Sequence, residues 1–263
     1  MYISFFKYQG TGNDFIIIDN RKFEFKAEAS LIADLCDRRF GIGADGLILL
    51  QSEPGYDFRM IYYNSDGNES TMCGNGGRCI VYFAQKLGII QNEAKFLAID
   101  GEHTAIIRHQ EERTAFVGLQ MKDVSGIEKV GNDWVLDTGS PHYVQFVEQV
   151  STFQVDTEGR AIRQSQPFLE KGINVNFVEK KNSRLQIRTY ERGVEAETLS
   201  CGTGVTASAL VAHFAGLISQ TDIAIKTPGG ELEVSFESNT KGHYSNVWLS
   251  GEVGLVFSGQ IEI

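Results

Sequence analysis

Runs of β-branched and aromatic residues, closed off by glycine, asparagine or aspartate, recur along this chain and read as strands. "DFIIID" (Asp14–Asp19), "LILL" (Leu47–Leu50) and "DFRMIYYN" (Asp57–Asn64) precede a different pattern, "CGNGGRCIVYFAQKLGII" from Cys73. That segment reads as a turn, a helix of about eleven residues and a glycine stop. "KFLAID" and "TAIIRH" follow it. The order then repeats. "HYVQFVEQV", "INVNFVEK" and "RLQIRTYE" precede "CGTGVTASALVAHFAGLI" from Cys201, and "IAIKT", "LEVSF" and "NVWLSGEVGLVF" follow it. The second helix is apolar or small on nearly every face, so it must be buried all round.

A shift of 128 residues places Cys73 on Cys201, Gly74 on Gly202, Gly76 on Gly204, Gly88 on Gly216 and Ile90 on Ile218. Self-similarity at a fixed offset marks repeated structural units. A helix covered on every side needs a sheet curled about it. The expected fold is therefore α+β: two pseudo-symmetric domains from a duplicated unit, each a curled, mostly antiparallel sheet or barrel wrapped on a central helix. The join falls near Met121–Asp133, giving domains of residues 1–125 and 126–263, with the last strand free to pack on the first domain.

Composition narrows the function classes. The formal charge is −10, from 24 basic and 34 acidic residues, which gives no global footprint for nucleic acid. No apolar run reaches the length of a membrane span, and "MYISFFKYQGTGNDF" lacks the pattern of a secretory signal. Four cysteines in 263 residues do not make a disulfide framework. The expected setting is cytoplasmic, with thiols kept reduced.

Cys73 and Cys201 each stand where a helix begins. The first turn of a helix carries unpaired N–H groups and partial positive charge, which stabilise a thiolate and bind carboxylates or phosphates. The adjoining glycines allow close approach to the backbone. Two such motifs related by duplication are expected to face each other over one shared anion. That suits proton transfer on opposite faces of a carbon α to a carboxylate: one thiolate removes a proton, the other thiol donates one, and the carbon inverts. Cys36, in the amphipathic "LIADLCD", and Cys79, inside the first helix, read as core. Metal binding is not supported, with no CxxC pair and no histidine at ligand spacing, and "CGNGGRC" is not a phosphate loop. A cysteine hydrolase with His142 as base would leave the second motif unused.

At these two motifs the chain resembles the diaminopimelate epimerase family, which uses no pyridoxal phosphate. "MCGNGGRC" and "YERGVEAETLSCGTG" carry the resemblance. "GTGNDF", "RRFGIGADG", "YNSDGNE", "GSPHYV" and "GINVNFVE" extend it in family order from about residue 7 to residue 207. The resemblance implies interconversion of LL- and meso-2,6-diaminopimelate in lysine and peptidoglycan precursor synthesis, with no cofactor and no metal. Its only ligand would be the small-molecule amino acid, with no nucleic-acid or membrane partner, and a homodimer is compatible. It also implies site residues. Cys73 and Cys201 would exchange the roles of base and acid. Gly74, Asn75, Gly202 and Thr203 would hold the reacting carboxylate through their backbones. Glu191 and Arg192 would bind substrate charges, and Asn13, Asn64 and Asn174 its polar groups. His142 and Glu191 would help set the thiol pKa values. Two positions depart from the family pattern: Ser140 where many members have asparagine, and Gly46 where some have glutamine. A two-thiol racemase of a proline-type amino acid, and a non-catalytic amino-acid-binding or redox protein, are the alternative readings.

Overall fold

The computed structural model describes residues 2–263. They divide into two compact units, residues 2–119 with 251–263, and residues 120–250. The break in the chain thus comes at Leu119, while residues 121–133, where the sequence suggested a join, fold into short strands of the second unit.

In the first unit the elements are β1 (Tyr2–Gly10), β2 (Asn13–Asp19), α1 (Ala29–Cys36), β3 (Gly46–Gln51), β4 (Phe58–Asn64), β5 (Glu69–Ser70), α2 (Gly74–Lys86), β6 (Glu93–Ala98), β7 (Gly101–Gln110) and β8 (Thr114–Gln120). β2 runs parallel to β3 and β4 parallel to β6; β1–β2, β3–β4, β6–β7 and β7–β8 are antiparallel. The last strand of the chain closes the ring, pairing with β8 at Glu252–Gly254 and with β1 from Val253 to Glu262. The result is a barrel of eight strands with α2 as its filling.

The second unit holds β9 (Val124–Ser125), β10 (Glu128–Val130), β11 (Asp133–Asp137), β12 (Pro141–Phe146), α3 (Val155–Arg163), β13 (Asn174–Lys181), β14 (Arg184–Glu191), β15 (Ala196–Thr198), α4 (Gly202–Phe214), β16 (Asp222–Thr227), β17 (Gly230–Thr240) and the first part of β18 (His243–Glu262). Its pairings reproduce those of the first unit. β12 runs parallel to β13 and β14 parallel to β16, with β13–β14 and β16–β17 antiparallel. Even the connecting helix recurs, α3 between the parallel pair here and α1 there. The sequence reading missed α3, whose glycine and charged residues hide a short helix with only Val155 and Gly159 buried.

The two central helices coincide under the 128-residue shift at both ends, and each is thirteen residues long. α2 buries ten consecutive residues, Asn75–Ala84, and α4 buries nine, Gly204–Ala212. Burial on every face requires small residues where strands press closest. A Cβ on Gly76 would lie 2.9 Å from Ile48 Cδ1. Both helices end as the sequence predicts, at a glycine in the left-handed region, Gly88 (φ 71°) and Gly216 (φ 72°). Cys36 and Cys79 are core residues, 3% and 0% exposed. Burial pushes the Cys36 thiol up to about 11 and the Cys79 thiol higher still.

Candidate active site

Each unit presents a thiol at the N-cap of its buried helix. Cys73 and Cys201 have extended backbone (φ −91°, ψ 126° and φ −115°, ψ 106°), and their carbonyls accept the first helical bonds, from Gly77 N at 2.7 Å and Val205 N at 2.9 Å. Neither side chain caps its helix. Serine or aspartate at such a position satisfies an orphan N–H and is worth about 1 kcal/mol. These helices forgo that cap, leaving their first-turn N–H groups and the positive end of the dipole to an outside anion.

In the first unit, Asn13, Gly74 and Asn75 gather around Cys73. Cys73 Sγ lies 3.5 Å from Asn13 Oδ1, which also accepts from Asn75 Nδ2 at 3.3 Å. Asn75 Oδ1 accepts from Arg78 at 2.9 Å. Asn13 Nδ2 donates to Asp45 Oδ2 at 2.6 Å. Behind it, Arg38 bridges Asp45 and Asp14, and Lys7 pairs with Asp14 at 2.8 Å. Burial alone would raise the Asp14 carboxyl; the bonds from Arg38 and Lys7 overcome it and hold it at about 2. The sequence reading gave Asn75 a role through its backbone only; its side chain is buried and works as well. Asn64 is exposed at the end of β4 and carries a turn with its backbone, bonding Asn68 and Gly67. It joins none of the described hydrogen bonds around Cys73.

Gly46, one of the two departures, has a structural reason. A side chain there would begin 2.5 Å from the Tyr62 ring and 2.5 Å from the Tyr63 carbonyl oxygen. Tyr62, whose ring also packs on Phe15 at 6.0 Å, occupies the space in which a larger residue at position 46 would stand.

In the second unit, Cys201, Gly202, Thr203 and His142 come together. Cys201 Sγ is 3.5 Å from Thr203 Oγ1, which lies 2.9 Å from His142 Nε2. The tautomer of His142 follows from its surroundings. Thr189 donates to Asn176 Oδ1 at 3.0 Å, and Asn176 Nδ2 donates to the Tyr143 carbonyl at 2.9 Å. The Asn176 amide therefore turns N–H toward His142 Nδ1, at 3.1 Å. Nδ1 accepts, so the ring proton sits on Nε2 and is donated to Thr203. The Thr203 hydroxyl hydrogen is left for the sulfur of Cys201. His142 is fully buried; desolvation, with a contribution from the Arg192 charge, drops its pKa to about 3. It reaches Cys201 through Thr203, as a neutral ring. Gly204 makes room for this cluster: a Cβ there would fall 2.2 Å from Asn176 Oδ1.

Asn174 and Arg192 form a second group with Ser140. Asn174 Nδ2 donates to Ser140 Oγ at 2.9 Å and to the Pro141 carbonyl at 3.2 Å, and its Oδ1 accepts the Arg192 N–H at 2.9 Å. The Arg192 guanidinium reaches Ser140 Oγ at 3.3 Å and the Lys171 carbonyl at 3.1 Å. The Asn174 amide is thus engaged in holding the loop that carries Arg192. Glu191 accepts from Thr198 Oγ1 at 2.9 Å. The residues that sequence reasoning passed over here are Asn176, Asp45, Arg78 and Tyr62. Of these Asn176 was within reach, since "NVN" in a strand puts Asn174 and Asn176 on one face.

The profile of the diaminopimelate epimerase family matches residues 5–125 and 134–253. A diaminopimelate epimerase of Flavobacterium psychrophilum is 52% identical over 97% of this chain and 99% of its own length, and one of Aquifex aeolicus is 38% identical over 98% of each. Among solved structures, a phenazine biosynthesis protein of the PhzF family from Bacillus anthracis superposes with a TM-score of 0.76 at 13% identity over the whole of both chains. A hydroxyproline epimerase from Agrobacterium vitis, bound to trans-4-hydroxy-L-proline, does so with a TM-score of 0.66 at 12% identity, covering 99% of this chain and 92% of its own. These two show a shared fold. With a matching profile over most of its length and a relative more than half identical, this chain belongs to the diaminopimelate epimerase family.

Proposed function

We propose that the protein interconverts LL- and meso-2,6-diaminopimelate by proton transfer at one α-carbon, with Cys73 and Cys201 as the two acid–base groups and no cofactor. The observation that carries the reading is the pair of equivalent thiols, each placed at the uncapped N-terminus of a buried helix. A thiolate takes the α-proton and becomes a thiol; the carbanion takes a proton from the other thiol, which becomes a thiolate. Electrons and protons balance, and the two sulfurs exchange states. The α-carbon is a weak acid, so the developing charge on the adjoining carboxylate needs stabilisation. The N–H groups of Gly74 and Asn75, and of Gly202 and Thr203, with about half a positive charge at each helix end, supply it.

Arg192 suits the distal carboxylate, since a guanidinium can pair with one in bidentate fashion. Glu191, Asn13 and Asn64 would take polar groups of the substrate, and Asn174 would act by holding Arg192. The setting would be the cytoplasm. Incubation with LL-diaminopimelate in deuterated water should yield meso product with deuterium at one α-carbon. Cys73→Ser and Cys201→Ser should each cut turnover by orders of magnitude. Inversion at an undiminished rate in either variant would overturn the roles assigned to the thiols. A panel of proline-type amino acids, followed by polarimetry, tests the racemase alternative.

A further inference from the structure

The polar groups behind Cys73 form a chain whose two ends are fixed by charge. At one end Arg78 is fully buried, and no carboxylate pairs with it among the described residues. A guanidinium can only donate, so its bond at 2.9 Å compels Asn75 to present Oδ1 to it and to turn Nδ2 toward Asn13. At the other end Asp45 can only accept, so its bond at 2.6 Å compels Asn13 to present Nδ2 to it. Both constraints give the same answer at the centre: Asn13 Oδ1 faces Cys73 Sγ. An isolated asparagine could rotate its amide and offer N–H to a thiolate. This one cannot do so without breaking its charge-assisted bond to Asp45 and the bond it accepts from Asn75.

We propose that Asp45 and Arg78 are positioning residues that lock the Asn13 carbonyl onto Cys73, so that this thiol keeps a proton to give at working pH. The inference rests on the reading of Cys73 as an acid–base group. A helix N-terminus and a nearby guanidinium both favour the thiolate and pull a thiol below its free value. A carbonyl oxygen at hydrogen-bonding distance favours the protonated form instead. The opposing pulls bring the group toward the pH at which it must both hold and release a proton. The charged and titratable groups around this sulfur in its unit are Arg78 and Cys79 on α2 and, behind Asn13, Asp45 with Arg38, Asp14 and Lys7. Cys79 stays neutral. The second unit is built differently, with a hydroxyl beside Cys201 whose hydrogen is available to a thiolate.

The test measures the rate of Cys73 alkylation by iodoacetamide against pH in a Cys201→Ser background, with peptide mapping to identify the modified thiol. Asp45 is exposed enough for substitution without collapse of the core, its side chain being 43% accessible. Asp45→Ala removes the charged half of the lock and leaves Asn13 held only by the neutral bond from Asn75, so the apparent Cys73 pKa should fall by about one unit. Asp45→Asn removes the same charge but keeps an acceptor for Asn13, and should stay near the unsubstituted value. Equal falls in both variants would mean that the carboxylate acts by charge alone and would overturn the lock. No fall in either would overturn it as well. Turnover of the Cys73→Ser variant reports separately on whether Cys73 is catalytic, so failure of that reading is distinguishable from failure of this one.

Discussion

His142 makes the stability of the second unit depend on pH in a way that can be worked out in advance. The folded ring is fully buried, accepts from Asn176 and donates to Thr203, and is neutral down to about pH 3. In the unfolded chain an imidazole takes up a proton near pH 6.5. Between those values the unfolded state holds one proton more than the folded state, so stability falls as pH falls. The loss begins near pH 6.5 and levels off near pH 3. The slope approaches about 1.4 kcal/mol per pH unit once the unfolded ring is mostly protonated, which makes about 2 kcal/mol between pH 6.5 and 4.5. Replacing the ring with His142→Gln removes the titrating group while keeping a polar side chain of similar size. Urea unfolding with a reducing agent present, repeated from pH 7 to 4.5, gives the two profiles. The variant should be less stable at pH 7 and should lose about 2 kcal/mol less on acidification. Carboxylates such as Asp14 contribute equally to both proteins and cancel in the difference. Parallel profiles would refute the reasoning, because they would mean that the native ring titrates as it does in the unfolded chain.

Gly204→Ala should fold poorly or lose turnover, because its Cβ would meet Asn176 Oδ1 at 2.2 Å and the amide could no longer hold His142; a thermal melt and the deuterium assay read the two effects. Gly46→Gln should destabilise the first unit by about 1–3 kcal/mol, the usual cost of overpacking. Adding Tyr62→Ala should restore only part of that, since the Tyr63 carbonyl at 2.5 Å remains; full recovery in urea titration would show that the ring alone sets the limit. Arg38→Met should raise the Asp14 pKa from about 2, because one of its two cationic partners is gone, and acid unfolding should begin at higher pH. The sign follows from linkage: a depressed carboxylate stabilises above its unfolded pKa, and that contribution is lost as pH falls toward the folded value. Carboxylate titration by NMR checks it.

The duplication was legible because helices buried all round tolerate few residue types, so the cysteine and the glycines survive as a visible echo at both ends of α2 and α4. The strands were legible for the same reason: a buried pleat demands β-branched and aromatic residues. α3 was not, since it buries only two of its residues and leaves no stripe to read. Around the thiols the sequence identified the residues nearest each helix start but could not resolve who bonds to whom. The sequence marks Asn174 as a residue for substrate, but the bonds of its amide to Ser140 and the Arg192 backbone could not be read from it. Asp45 lies 28 residues before Cys73 in the chain, and only the parallel pairing of β2 with β3 brings it beside Asn13. A strand glycine such as Gly46 gives no sign, in one dimension, that a tyrosine sixteen positions later fills its place.

The strand that completes the first barrel is synthesised after the whole of the second unit. Until residues 251–262 leave the ribosome, β1 and β8 stand as bare edges, the first separated by roughly 250 residues and the second by roughly 140 from the segment that seals them. Contacts so remote in sequence form slowly. The nascent protein therefore passes through translation of its whole second unit with the first one ajar, a period in which exposed strand edges, rather than final thermodynamic stability, set the hazard of misassembly.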